Sequence, residues 1–76
     1  MLGMRSRFRS NVLRRELAVR GLTGYAFAEV SGVTPETLSR ILNGRPANAA
    51  TVRAIVEALA RTPVLHGAEK LIEAAQ

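Results

Sequence analysis

Six residues between positions 35 and 43 have types and spacing suited to chemistry outside a core. If this stretch is helical, Leu38 and Ile41 take the inward positions, and Pro35, Glu36, Thr37, Ser39, Arg40 and Asn43 face out. These are short polar groups with one carboxylate and one guanidinium. A guanidinium presents a rigid fork of donors, a carboxylate accepts, and a hydroxyl does either. Such a face suits directional hydrogen bonding to a partner that presents planar edges. Side chains of these types at the front of a protruding helix are what reading DNA base edges requires.

The neighbouring residues predict the elements that hold this face. Thr34 can cap the helix, with Pro35 at its first position, where a missing N–H costs nothing. The helix runs to Asn43, and Gly44 stops it. Thr23 can cap a preceding helix, about Gly24 to Val30, with Phe27 and Ala28 inward. Gly32 supplies the sharp turn between the two. Upstream, Ser10 can cap a helix from Asn11 to Arg20 that stops at Gly21. Its inward residues are Leu13, Leu17 and one of Val12 or Ala18. Downstream, Pro46 blocks continuation, and Asn48 can cap a helix of about Ala49 to Arg61. Its apolar stripe is Val52, Ile55, Val56 and Leu59. Thr62-Pro63 breaks the chain, Val64 and Leu65 follow, and a last helix of about Gly67 to Ala75 places Leu71 and Ile72 inward. No segment shows sustained strand alternation. The expected class is all-α, a compact five-helix domain over residues 10–76 behind a flexible basic arm, residues 1–9.

Composition bounds the rest. A chain of 76 residues supports one small core, so it needs good helix packing or a second subunit. There is no cysteine, which excludes disulfides and thiolate metal sites, and one histidine, His66, makes no metal site by itself. No cofactor and no small-molecule ligand are expected. No apolar run approaches the roughly 20 residues of a membrane span. Met1-Leu2-Gly3-Met4 leads into arginines rather than an apolar signal, so a cytoplasmic chain is expected. The net charge is +5, and its placement is informative: residues 1–20 hold six arginines and one glutamate, whereas the remaining acids and bases balance. That polarity suggests a polyanionic partner near the N-terminus, or else a solubilising tail. Phe8, in the arm, either packs on the fold or stacks on a base or sugar. No serine–histidine–carboxylate set, phosphate-cradling glycine loop or metal-ligand cluster is present to support an enzyme.

The residues Gly21-Leu22-Thr23, Ala28, Gly32-Val33-Thr34, Leu38-Ser39-Arg40-Ile41-Leu42-Asn43-Gly44-Arg45 and Glu57-Ala58-Leu59 carry a resemblance through four helices. Over about residues 11 to 65 the chain resembles the lambda-type repressor and Cro family of helix-turn-helix DNA-binding proteins. The resemblance implies that the helix from Pro35 is a recognition helix, with Arg40, Thr37, Glu36 and Pro35 at base edges and Ser39 outward on the same DNA-facing side. It implies that Thr34, Asn43, Arg45 and the backbone after Gly44 hold phosphates. Arg5, Arg7 and Arg9 would reach along the backbone or into a minor groove.

Two positions depart from the family pattern. Where members often have a phosphate-binding glutamine, this chain has Gly24. The adjacent Tyr25 either offers a phenol to a phosphate or is a half-exposed packing residue. Where members often pair an arginine with a glutamate in the core, this chain has Leu17 and Leu42, expected to touch as an apolar exchange. Glu36 either complements the helix macrodipole or selects a base. Arg53 and Arg61 are expected to be solvated. The implied function is a sequence-specific transcription regulator, Cro-like or a small repressor of phage type. It would bind double-stranded DNA as a homodimer, or be a monomer when dilute and free, with Val64, Leu65, Leu71 and Ile72 after Pro63 either forming the dimer contact or only closing the monomer core. An antitoxin, or an interaction or architectural module on the same fold, is the alternative.

Overall fold

The computed structural model describes residues 5–65. In chain order these are β1 (Arg5–Ser6), α1 (Ser10–Ala18), α2 (Gly24–Ser31), α3 (Pro35–Leu42), β2 (Ala47–Asn48) and α4 (Ala49–Arg61). Four of the five expected helices fall among the described residues. The fifth, with Leu71 and Ile72, lies outside them.

Three of the four helix starts follow from their caps. The Thr23 hydroxyl accepts from the Ala26 N–H at 3.0 Å, the Thr34 hydroxyl from Thr37 at 3.2 Å, and the Asn48 Oδ1 from Thr51 at 2.8 Å. Each satisfies a first-turn donor that has no partner within its helix. The start of α1 differs from expectation. Arg9 is the cap residue, with no side-chain cap bond, and Ser10 is already helical. Phe8 packs against the core just before it, and that contact sets where the chain enters the helix.

α1 also ends two residues earlier than the sequence suggests. The Leu22 N–H donates to the Leu17 carbonyl and the Gly21 N–H to that of Ala18, both at 2.9 Å, closing a Schellman turn. Gly21 sits at φ +70°, and a Cβ there would come within 2.8 Å of Leu65 Cδ1. The left-handed backbone favours glycine, and an added Cβ would also displace the exposed Leu65 side chain. The same backbone pattern closes α3, with Arg45 N–H donating to Arg40 and Gly44 N–H to Ile41. Between α2 and α3, Gly32 takes φ +79° and turns the chain through the tight corner of the helix pair.

α2 packs on both α3 and α4, and α1 packs on α3. Phe27, Leu38, Ile41 and Ile55 fill the centre and are essentially inaccessible. Leu17 is buried in the same cluster, and Leu42 is half-buried at its edge. Two expected core positions are corrected. Val12 and Ala18 both lie on the exposed side of α1, and Val19 is buried in their place. On α4, Val56 is exposed and Ala58 is fully buried. At 3.6 residues per turn, Ile55 and Ala58 share one face, while Val56 lies about 100° from Ile55 and about 160° from Ala58. Ala58 has almost no side chain, which lets neighbouring helices approach closely.

The expected arm is tied down over part of its length. Arg5 and Ser6 pair antiparallel with Asn48 and Ala47, and Phe8 is half-buried on the core. Residues 5–9 therefore belong to the folded unit, whereas Met1 to Met4 lie outside the described residues. Two of the N-terminal arginines brace the fold. The Arg20 side chain is only 12% exposed. It donates to the carbonyls of Thr62 at 2.8 Å and Leu59 at 3.3 Å and pairs with Glu16 at 2.7 Å. It thereby satisfies carbonyls that the end of α4 leaves free. Arg14 reaches the end of α3, as described below. Arg61, expected to be solvated, donates to the Val30 carbonyl at 2.9 Å and ties α4 to the end of α2. Arg53 is exposed and pairs with Glu57 at 3.0 Å. No helix among the described residues is long and apolar enough to cross a membrane.

Candidate nucleic-acid interface

α3 buries Leu38 and Ile41 and turns Pro35, Glu36, Ser39 and Arg40 to solvent, with Asn43 exposed at its C-cap. Thr37 is half-buried. Its hydroxyl accepts from that of Thr34 at 2.9 Å, so both are engaged in the cap as well as lying at the front of the helix. Glu36 stands alone as an acid in the first turn, where its charge complements the helix dipole.

A cleft lies on each side of this face. On one side Thr37 and Arg40 of α3 meet Arg45 of the following loop, Arg5 of β1, and Asn48 and Thr51 at the start of α4. The β1–β2 pairing brings Arg5 here. Three guanidiniums gather with no carboxylate lining the cleft, so the field is positive and the hydroxyl and amide groups add hydrogen-bonding capacity. An arginine fork matches a phosphate in charge and geometry.

On the other side, Pro35, Ser39 and Asn43, spaced about one turn apart, form a stripe that faces Tyr25 and Gly24 of α2 and Arg14 of α1. The Arg14 Nη2 donates to the Leu42 carbonyl at 2.9 Å and to Asn43 Oδ1 at 3.5 Å. Tyr25 is 70% exposed. It is thus more exposed than the half-exposed packing residue that is one of its two readings.

The structure therefore gathers Arg5, Thr37, Arg40 and Arg45 in one cleft, and Tyr25, Pro35, Ser39 and Asn43 in the other. Glu36 projects between them. Arg7 and Arg9 are exposed but line neither cleft. Three lining residues escaped sequence reasoning. Asn48 and Thr51 are visible in sequence only as a cap and its partner, since their second role depends on where α4 starts relative to α3. Arg14 meets a backbone carbonyl 28 residues away, and a carbonyl carries no residue-type signal.

A family model described as helix-turn-helix matches residues 13–65, more than half of the chain. The chain belongs to the lambda-repressor-like helix-turn-helix family, which is a DNA-binding family. No curated protein and no solved structure matches the chain significantly.

Proposed function

We propose that this protein is a sequence-specific transcription regulator that reads operator half-sites with α3, acting as a Cro-like protein or small repressor that excludes polymerase from the site it occupies. The observation that carries the reading is the exposed polar face of α3 beside the cleft where Arg5, Arg40 and Arg45 converge. In this reading Arg40 pairs with guanine O6 and N7, and Glu36 accepts from cytosine N4. Ser39 and Thr37 add contacts at neighbouring edges. Arg5, Arg45 and Asn43 hold phosphates and fix the register. Arg7 and Arg9 contribute longer-range attraction to the backbone. Selecting bound sites from a random duplex pool tests the reading. A recurrent motif supports it, and a pool that stays random after several rounds refutes it.

On the selected site, Arg40→Ala is expected to cost about 1–3 kcal/mol and to relax preference at one base-pair position. Random duplex should lose much less. Fluorescence anisotropy on both duplexes measures the difference. An equal loss on the two would assign Arg40 to the backbone instead.

One α3 contacts few base pairs, so the proposed active form is a two-fold dimer on DNA. It spans half-sites about one helical turn, roughly 34 Å, apart. Val64 and Leu65 are 42% and 53% exposed, and the Leu65 N–H is held by the Val19 carbonyl at 2.8 Å. That gives an apolar, anchored surface for a second copy. The selected motif is expected to be palindromic, and sedimentation of its complex should give two chains per site. A stable complex of one chain on a non-palindromic site contradicts the dimer.

A further inference from the structure

We propose that Arg20 is a positioning residue that fixes the half-site spacing this protein accepts. It clamps the segment carrying Val64 and Leu65 to the end of α1, and α1 is the strut between that segment and α3. The inference rests on the reading of the active form as a two-fold dimer on DNA and deepens it.

Helical structure ends at Arg61, and Thr62 is already extended, at φ −108° and ψ 112°. Pro63 has no N–H with which to tie the chain down. Among the described residues, two backbone groups of the segment 62–65 are hydrogen-bonded to another element, and both partners lie at the end of α1. The Arg20 Nε donates to the Thr62 carbonyl at 2.8 Å, and the Leu65 N–H donates to the Val19 carbonyl at 2.8 Å. The two bonds bracket Pro63 and the exposed Val64. The Leu65 side chain also lies over Gly21, close enough that a Cβ there would come within 2.8 Å of it.

The Arg20 guanidinium is itself held. Its Nη1 donates to the Glu16 carbonyl at 2.8 Å and to the Glu16 carboxylate at 2.7 Å, and its Nε also reaches the Leu59 carbonyl at 3.3 Å. A planar fork engaged along both of these edges has little freedom to turn. The other end of the strut is equally fixed. Leu13 and Leu17 of α1 are buried in the cluster that holds Leu38 and Ile41 of α3, and Arg14 donates to the Leu42 carbonyl at 2.9 Å. A single helix of nine residues, about 14 Å long, therefore links the proposed contact between copies to the helix that enters the groove.

In a two-fold dimer the separation and angle of the two α3 helices follow from how rigidly each is joined to the contact between copies. One base pair added between half-sites moves them about 3.4 Å apart and rotates them by about 34°. A clamped segment cannot follow that change, so the misfit strains the DNA or breaks contacts. A released segment can swing and absorb it.

The test uses the full chain on its selected duplex and on duplexes with one base pair added or removed at the two-fold centre, with affinity read by anisotropy. The native protein is expected to lose about tenfold in affinity at each altered spacing, because the DNA must deform. In Arg20→Gln the loss should fall to about threefold, because the freed segment shares the strain. Arg20→Lys keeps the charge without the fork and should lie between the two. Circular dichroism checks the fold, and Arg20→Lys carries the test if Arg20→Gln does not fold. A purely structural role would reduce the folded fraction and so lower affinity by one factor at every spacing. That result, or a native protein indifferent to spacing, would overturn the inference. Two chains per site with a native spacing profile in the folded variants would defeat it while sparing the dimer. One chain per site would defeat the dimer and the inference together, and a pool that yields no motif would defeat the reading of α3 as well.

Discussion

Phe27→Ala is expected to destabilise the fold by about 3–5 kcal/mol, the usual cost of removing a fully buried aromatic side chain. Phe27 has no measurable exposure and sits on α2 between α3 and α4. The lost volume combines a transfer term with a cavity that four short helices cannot collapse around without shifting one another. For a domain of this size the loss approaches the whole stability, and the melting temperature should fall by on the order of 20 °C. Thermal and urea unfolding measure it. A loss below about 1.5 kcal/mol would show that the site collapses with little cavity and that Phe27 is not the centre of the core. The variant should also lose DNA binding, because α2 is what holds α3 in place, and ligand-induced refolding should restore part of it at high DNA concentration.

The second large effect concerns Leu17 and Leu42. The family pattern pairs these two positions, and their unequal burial places the severe change at Leu17. Leu17 is 4% exposed, so Leu17→Arg buries an unpaired charge, at an expected cost of about 3–5 kcal/mol. Leu42 is only half-buried, and its carbonyl already accepts from Arg14 at 2.9 Å. A carboxylate introduced there has a guanidinium within reach, so Leu42→Glu is expected to cost less than Leu17→Arg. Adding Leu42→Glu to Leu17→Arg should recover part of the loss, with a coupling energy of at least about 0.5 kcal/mol across the double-mutant cycle. A double variant no more stable than Leu17→Arg would mean that the two side chains do not face each other, against the expected alignment of α1 with α3.

The sequence by itself determined the elements that local chemistry encodes. Thr23, Thr34 and Asn48 each satisfy a donor three residues away, so those helix starts are written in adjacent residues. Gly32 turns the helix pair because only glycine is comfortable at its positive φ. Leu38 and Ile41 point inward by helical spacing, and this leaves the same outward polar face that the sequence suggests. Tertiary structure decided what depends on distant partners. Two residues cannot show strand alternation, so the pairing of Arg5–Ser6 with Ala47–Asn48 left no trace in the sequence, although it converts part of an expected arm into one wall of the basic cleft. Spacing put Val56 on the apolar stripe of α4, but the approach of α2 turned the buried face toward Ala58, about 160° around the helix from Val56. The N-terminal arginines looked alike as a charge run. Their fates diverge because Arg20 meets the free carbonyls at the end of α4, Arg14 meets the end of α3, and Arg5 is carried by a strand to the side of α3. A backbone carbonyl is an acceptor in every residue type, so its partner is fixed by where the fold brings it, not by which residue carries it.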